Sequence, residues 1–255
     1  QIVAGKNLNL PIIGPILRNG GAFFMRRSFG DNKLYSRVFY EHLRKLLQRG
    51  SSIEFFPEGG RSRSGRLLPA RPGIISMLVR AFQDMDEKPI KFVPISMNYE
   101  KVLEGNSYLK ETLGEKKKKE SLGSILRVAW DFRGYLGNAY LQIGEPIDLK
   151  EFLDKNCENW RNNIISEDLD NSPNQQWLYD ITPKLGKKIM TNINKATVVT
   201  PSAVFASAIL NANKFSLSRE KLIARIKLYL ELINLSEYSD QIKISEKKKK
   251  KIILK

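Results

Sequence analysis

Ser52-Ile53-Glu54-Phe55-Phe56-Pro57-Glu58-Gly59-Gly60-Arg61-Ser62-Arg63-Ser64-Gly65-Arg66 is the stretch on which the fold turns. Its first five residues read as a strand, and a polar loop rich in glycine and arginine follows from Pro57 to Arg71. Pro72 then suits the first turn of a helix through Ile74, Ile75, Met77, Leu78 and Phe82, because its fixed φ favours that position and its missing N–H costs nothing there. Upstream, the apolar run Ala22-Phe23-Phe24-Met25 after two glycines predicts a buried strand. From Asn32 to Arg49 the period becomes helical, with Tyr35, Val38, Phe39, His42, Leu43, Leu46 and Leu47 on one stripe. Asn32 suits its N-cap and Gly50 its C-terminal stop. Downstream, Ile90-Lys91-Phe92-Val93-Pro94-Ile95-Ser96 reads as a further strand. Strand, helix, strand, helix, strand predicts an α/β fold: a mostly parallel sheet flanked by helices.

The remaining chain reads differently. Residues 1 to about 30 carry the loop punctuation Pro11, Gly14, Pro15, Gly20 and Gly21, and residues 100–124 form a lysine-rich surface excursion. Ala139–Ile143 reads as a last strand, closed by Gly144-Glu145-Pro146. Strand signals then stop, and helical patterns follow at 149–155, 175–195, 201–213 and 218–235, the last capped by Ser218. The expected organisation is an α/β domain over residues 1–149 and a helical C-terminal region over 150–255. The opening Gln1-Ile2-Val3-Ala4-Gly5 and the closing Ile252-Ile253-Leu254-Lys255 both look cut, so we expect a fragment of a longer chain.

Composition narrows the function classes. Of 255 residues, 42% are hydrophobic and 27% charged, a globular balance that excludes disorder. No run approaches the roughly eighteen apolar residues of a membrane-spanning helix. Cys157 is the sole cysteine, which excludes an internal disulfide, and one histidine with one cysteine cannot build a zinc site. The net charge of +16 implies an anionic partner: nucleic acid, an anionic membrane face or a phosphorylated small substrate. The runs Lys116–Lys119 and Lys247–Lys251 suit plain solvation or attraction to anionic lipid. Trp130, Trp160 and Trp177 suit cores better than ligands.

Three segments could carry chemistry. The loop after Phe56 stands where a strand ends and a helix begins, the place where open α/β sheets build ligand sites. Gly59 and Gly60 let the backbone turn sharply and bring amide N–H groups near an anion, while Arg61, Arg63 and Arg66 supply planar forks for phosphate oxygens. No Gly-Lys-Ser/Thr closes the loop, so it is not a Walker motif. By composition alone a solvated basic loop fits as well. Glu58, a carboxylate among arginines, reads either as a structural partner that orients them or as part of a substrate cradle. The second segment ends a strand with Arg26 and Arg27, which alternation puts on opposite faces. In the third, Phe92-Val93-Pro94-Ile95, the proline costs a ladder bond and favours a strand end.

In this order, Gly21-Ala22-Phe23-Phe24-Met25-Arg26-Arg27, Phe56-Pro57-Glu58-Gly59-Gly60-Arg61-Ser62-Arg63 and Val93-Pro94-Ile95 resemble blocks two, three and four of the glycerolipid acyltransferases. The flanking stretches Ala4-Gly5-Lys6-Asn7-Leu8-Asn9, Gly65-Arg66-Leu67-Leu68 and Gly144-Glu145-Pro146-Ile147 look like those of the bacterial membrane-associated glycerol-3-phosphate branch. The resemblance implies that Arg27 holds the phosphate of glycerol 3-phosphate. It implies that Glu58, Gly59, Gly60, Arg61 and Arg63 bind substrate, and that Pro94 shapes the acyl-donor side. It further implies acyl transfer to the sn-1 hydroxyl from acyl-CoA or acyl-acyl carrier protein, without metal or prosthetic group, as the first step of phospholipid biosynthesis. The implied location is peripheral, on the cytoplasmic face of the bacterial inner membrane.

One departure stands out. The family's general base is a histidine upstream of block two, with an aspartate five positions later that orients it. Here the sole histidine is His42, and five positions on stands Leu47. We therefore expect no catalytic residue in this chain and place the pair upstream of Gln1. A basic nucleic-acid-binding protein is the rival on charge alone, but aromatics interleaved with basic residues in an RNA-binding pattern are missing. A non-catalytic lipid- or phosphate-binding relative is the other alternative.

Overall fold

A computed structural model describes residues 1–26, 28–29, 32–60, 62, 65–85, 88–100, 137–158, 160–161, 176–235 and 243–244. In chain order the elements are β1 (Ile2–Gly5), α1 (Ile13–Asn19), β2 (Ala22–Met25), α2 (Lys33–Gln48), α3 (Pro72–Gln83), β3 (Lys91–Phe92), β4 (Ile95–Tyr99), β5 (Ala139–Ile143), β6 (Ile147–Asp148), α4 (Leu149–Asn156), α5 (Gln176–Lys195), β7 (Val198–Val199), α6 (Pro201–Leu210), α7 (Arg219–Asn234) and β8 (Lys243–Ile244). The α/β class is as expected. The described residues form two compact units that interleave along the chain: 1–92 with 146–190, and 93–100 and 137–145 with 191–235 and 243–244. This division differs from a single cut near residue 150.

In the first unit β1 pairs in parallel with β2, Ile2 opposite Ala22 and Gly5 opposite Met25. On its other side β1 meets Glu54 in a parallel bridge, with Val3 N–H donating to Glu54 O at 2.8 Å and Glu54 N–H to Gln1 O at 2.7 Å. The expected strand over 52–56 is thus reduced to one bridge, though it lies where a third parallel strand would. Two elements within the first thirty residues, β1 and α1, were hidden by the loop punctuation. Pro15 sits in the first turn of α1, where no intrahelical N–H bond is lost. The second half of the expected pairing is antiparallel, β3 with β6 and β4 with β5.

The helix α2 begins and ends as its sequence dictates. The Asn32 side chain accepts from Tyr35 N–H at 2.8 Å. At the far end Gly50 N–H donates to Leu47 O and Ser51 N–H to Leu46 O, with Gly50 at φ +74°, a Schellman closure that wants a residue without Cβ. The buried stripe, however, is Phe39, Tyr40, Leu43 and Leu46, rotated away from Val38 and His42, both exposed. The reason lies on α3. The Tyr40 hydroxyl donates to Asp84, and the buried Arg80 sets its guanidinium 4.8 Å from the centre of the Tyr40 ring, with Nε 3.9 Å from Asp84. A buried cation is tolerated only with such compensation. Burial, reinforced by the hydrogen bond to Asp84, raises the Tyr40 pKa far above its ordinary value, so the phenol stays a donor. Val3, Phe39 and Leu43 form a core with Phe23, Met25, Phe55, Ile74 and Met77 packed on it. Against α3, Phe82 packs on the buried Trp160, whose indole N–H donates to Asp154 at 2.8 Å. Trp177 is likewise buried, while Trp130 lies outside the described residues.

In the second unit β4 and β5 form a ribbon with an inverted polarity. Ile95 faces Ile143, Met97 faces Leu141 and Tyr99 faces Ala139, all on one exposed face; Met97 is 52% and Ile143 66% exposed. The opposite face carries the buried Ser96 and the half-buried Asn98, whose Oδ1 accepts from Val198 N–H at 3.1 Å. The helices α6 and α7 pack through Val204, Ala208 and Ile226. Thr200 and Ser218 cap them, accepting from Ala203 N–H and Lys221 N–H. No helix among the described residues is long and apolar enough to cross a membrane.

Nothing lies within 4 Å of a Cβ added at Gly50, so Gly50→Ala isolates the backbone cost of its left-handed conformation. The expected loss is about 1–2 kcal/mol by urea denaturation. No loss at all would contradict the Schellman ending of α2.

Candidate active site

Parallel pairing on both sides of β1 has a geometric consequence. Ile2 stands opposite Ala22 on one neighbour and Glu54 on the other. The β1–β2 register runs on to Gly5 opposite Met25, the third segment meets β1 at the single bridge of Glu54, and all three run in the same direction. The chain therefore leaves β2 at Arg26 and leaves Phe56 toward Glu58 from the same edge of the sheet. The two exits are separated by two strand spacings, roughly 10 Å. This is the carboxyl edge, where α/β sheets hold ligands.

The loop on that edge is a closed one. Gly59 N–H donates to Phe56 O at 3.0 Å, making a tight turn, with Gly59 in the left-handed region at φ +60°. Glu58 Oε2 accepts from Leu68 N–H at 2.7 Å, and Arg71 N–H donates to Pro57 O at 2.7 Å. The carboxylate thus ties the loop across ten residues, and the neck closes one residue before α3 begins. The bond shown for Glu58 is to a backbone amide of its own loop rather than to an arginine. A Cβ on Gly59 would lie 2.9 Å from Arg71 Cγ, so the glycine is required by contact as well as by conformation.

The arginines expected to grip phosphate, Arg27, Arg61 and Arg63, lie outside the described residues. Glu58, Gly59 and Gly60 stand together in the turn. Arg26 is committed elsewhere: its guanidinium lies 4.5 Å from the centre of the Tyr35 ring, and its N–H donates to the Tyr35 hydroxyl at 3.2 Å. Pro94 is in the second unit. It is buried, falls between β3 and β4 along the chain, and its carbonyl accepts from Gly144 N–H at 2.8 Å. A Cβ on Gly144 would meet Asn192 O at 3.0 Å and Pro94 Cβ at 3.4 Å.

His42 touches only the edge of the Phe23 ring among its aromatic neighbours, 4.9 Å between centroids, with Leu47 on the next turn of α2. It has no aspartate to orient it at the spacing the chemistry needs. Burial raises the Cys157 thiol, which leaves it a poor nucleophile. No group of three or more histidine, cysteine, aspartate or glutamate residues that could hold a metal occurs among the described residues. A cavity of about 260 Å³ between α6 and α7 is lined by Val199, Ala203, Val204, Ser207, Tyr229, Leu232 and Ile233, an apolar set with no cation for a phosphate.

Arg71 and the Leu68 amide are the loop residues that sequence reasoning passed over. The signal was there in Arg71-Pro72: a residue before proline is held extended, and Arg71 has ψ 129°.

Comparison with known proteins gives the family. Residues 1–98 match the family model described as acyltransferase, and residues 108–254 match that of the glycerol-3-phosphate acyltransferase C-terminal region. A protein of Pseudomonas fluorescens (strain SBW25) named glycerol-3-phosphate acyltransferase is 41% identical over 239 residues, which is 94% of this chain and 28% of that protein. Proteins of the same name from Pseudomonas putida (strain W619) and Pseudomonas aeruginosa (strain LESB58) are 40% and 42% identical, over 96% and 94% of this chain. The chain spans 28–29% of the length of these curated relatives. With a carboxyl-edge loop closed by Glu58 and two family models that together take in nearly the whole sequence, the chain belongs to the glycerol-3-phosphate acyltransferase family.

Proposed function

We propose that the intact protein transfers a fatty acyl group from an acyl thioester, acyl-CoA or acyl-acyl carrier protein, to the sn-1 hydroxyl of glycerol 3-phosphate, giving lysophosphatidic acid for phospholipid synthesis. The observation that carries this reading is the closed Glu58-Gly59-Gly60 turn on the edge from which the chain also leaves β2 toward Arg27. Arg27, Arg61 and Arg63 would neutralise the phosphate and fix the acceptor hydroxyl. A base takes the hydroxyl proton as the oxygen attacks the thioester carbonyl; the tetrahedral intermediate collapses, and the thiol leaves with a proton. Since His42 lacks the geometry, the base and its aspartate belong to sequence other than this chain. No metal or prosthetic group enters these steps.

The proposed site of action is the cytoplasmic face of the bacterial inner membrane, held peripherally. Two features support it: the net charge of +16, which suits anionic headgroups, and the exposed apolar face of the β4–β5 ribbon, which suits the layer beneath them.

Transfer of radiolabelled acyl groups by the intact protein tests the activity. Arg27→Ala is expected to raise KM for glycerol 3-phosphate roughly 10- to 100-fold, the equivalent of one lost charged hydrogen bond, with little change for the acyl donor. Equal losses for both substrates would sink the clamp. Glu58→Gln keeps an acceptor for the Leu68 N–H and should retain more activity than Glu58→Ala. Equal loss in the two would mean that the negative charge itself is needed. For the membrane, co-sedimentation with vesicles containing phosphatidylglycerol should fall with added salt, and Met97→Glu should weaken what binding survives. Equal binding to neutral vesicles would remove the electrostatic part of the reading.

A further inference from the structure

Gly59 and Arg71 are twelve residues apart in sequence yet occupy one space. An added Cβ on Gly59 would lie 2.9 Å from Arg71 Cγ, 3.6 Å from its Cβ and 4.0 Å from its Cδ, so the whole aliphatic stem of Arg71 lies across the glycine. The stem is held there from both sides. Its own N–H is tied to Pro57 O at 2.7 Å, and the following Pro72 confines Arg71 to an extended conformation, ψ 129°. Behind it, α3 is anchored by Ile75, Leu78, Val79 and Phe82, all buried. Arg71 therefore transmits the fixed position of α3 to the turn that hydrogen bonds at Glu58 and Gly59 close.

We propose that Arg71 is a positioning residue for the Glu58-Gly59-Gly60 turn, acting through its aliphatic stem, which fills the slot left by the missing side chain of Gly59. The functional part rests on the acyl-transfer reading above; the packing part does not. A tighter turn presents its amides in one arrangement, so loosening it weakens binding of the acceptor phosphate and leaves the acyl donor alone.

The test uses the intact protein with Arg71→Ala, Arg71→Met, Gly59→Ala and the Gly59→Ala/Arg71→Ala double variant. Methionine keeps the stem and drops the charge. Trypsin reads the turn without reference to activity, since it cuts after Arg66 and does not cut the Arg71-Pro72 bond in any variant. Arg71→Ala should be nicked within residues 57–71 several-fold faster than the wild type, and Arg71→Met at close to the wild-type rate. In acyl-transfer assays Arg71→Ala should raise KM for glycerol 3-phosphate by about tenfold, with KM for the acyl donor within roughly twofold, and the double variant should be no worse than Gly59→Ala alone, as expected of coupled neighbours. Wild-type nicking rates in Arg71→Ala would overturn the proposal, and so would Arg71→Met failing as badly as alanine, which would move the role to the guanidinium. If the wild-type protein transfers no acyl group to glycerol 3-phosphate, the acyl-transfer reading falls, while the nicking rates still decide whether Arg71 holds the turn.

Discussion

The parallel pairing of β1 with a neighbour on each side is the constraint from which the rest of the site follows. Parallel strands cannot be joined by a tight turn, so each must be followed by a crossover, and all their carboxyl ends fall on one edge. Here α2 supplies the crossover between β2 and the segment that meets β1 at Glu54. Its apolar face, Phe39 and Leu43, covers Val3 and Phe23 and so holds the strands in register. What leaves the sheet at that edge is polar: Arg26 after β2, and Pro57-Glu58-Gly59-Gly60 after Phe56. A phosphate-binding site needs donors from separate segments brought together without backbone strain. In the acyl-transfer site proposed above, the parallel edge is where such donors would leave the sheet.

The loop is closed by a carboxylate that it supplies itself. Glu58 is set among arginines, yet one of its oxygens is engaged by the Leu68 amide. That bond closes the loop from within, and the Arg71 amide closes it at the neck. The glycine between them is required twice over, by its positive φ and by the side chain lying across it. Pro94 plays an analogous part in the second unit: lacking an N–H, it ends one strand and begins the approach to another, and Gly144 is the residue small enough to sit against it.

Much of the local structure was legible. Asn32, Gly50, Pro72, Ser218 and the apolar period between them mark helix limits because caps and φ preferences act over four residues and need no tertiary partner. The α/β class followed from the alternation of such signals, and the ordered blocks around Arg27, Glu58 and Pro94 led to the family. Misreadings fell where a distant residue decides. The stripe of α2 turned toward Tyr40 because Asp84 and Arg80 on α3 receive it, and helical period alone cannot see them. The β4–β5 ribbon turns Ser96 and Asn98 inward, where Asn98 meets the Val198 amide a hundred residues along, so alternation was present but its inside and outside were not knowable. Ile90–Ser96 was read as one strand; Pro94 divides it between partners lying far along the chain.

By itself, then, the sequence determined where helices start and stop, that strands alternate with helices, which loop carries the cations, and that no properly spaced histidine–aspartate pair is present. These are properties of side chains and their near neighbours. Only the tertiary structure decided that the exits from β2 and from Phe56 share an edge, that Glu58 is spent on the Leu68 amide, and that Arg71 covers Gly59. Each of those depends on strand register or on the docking of α3, and register is set by the burial of a common core rather than by any residue read alone.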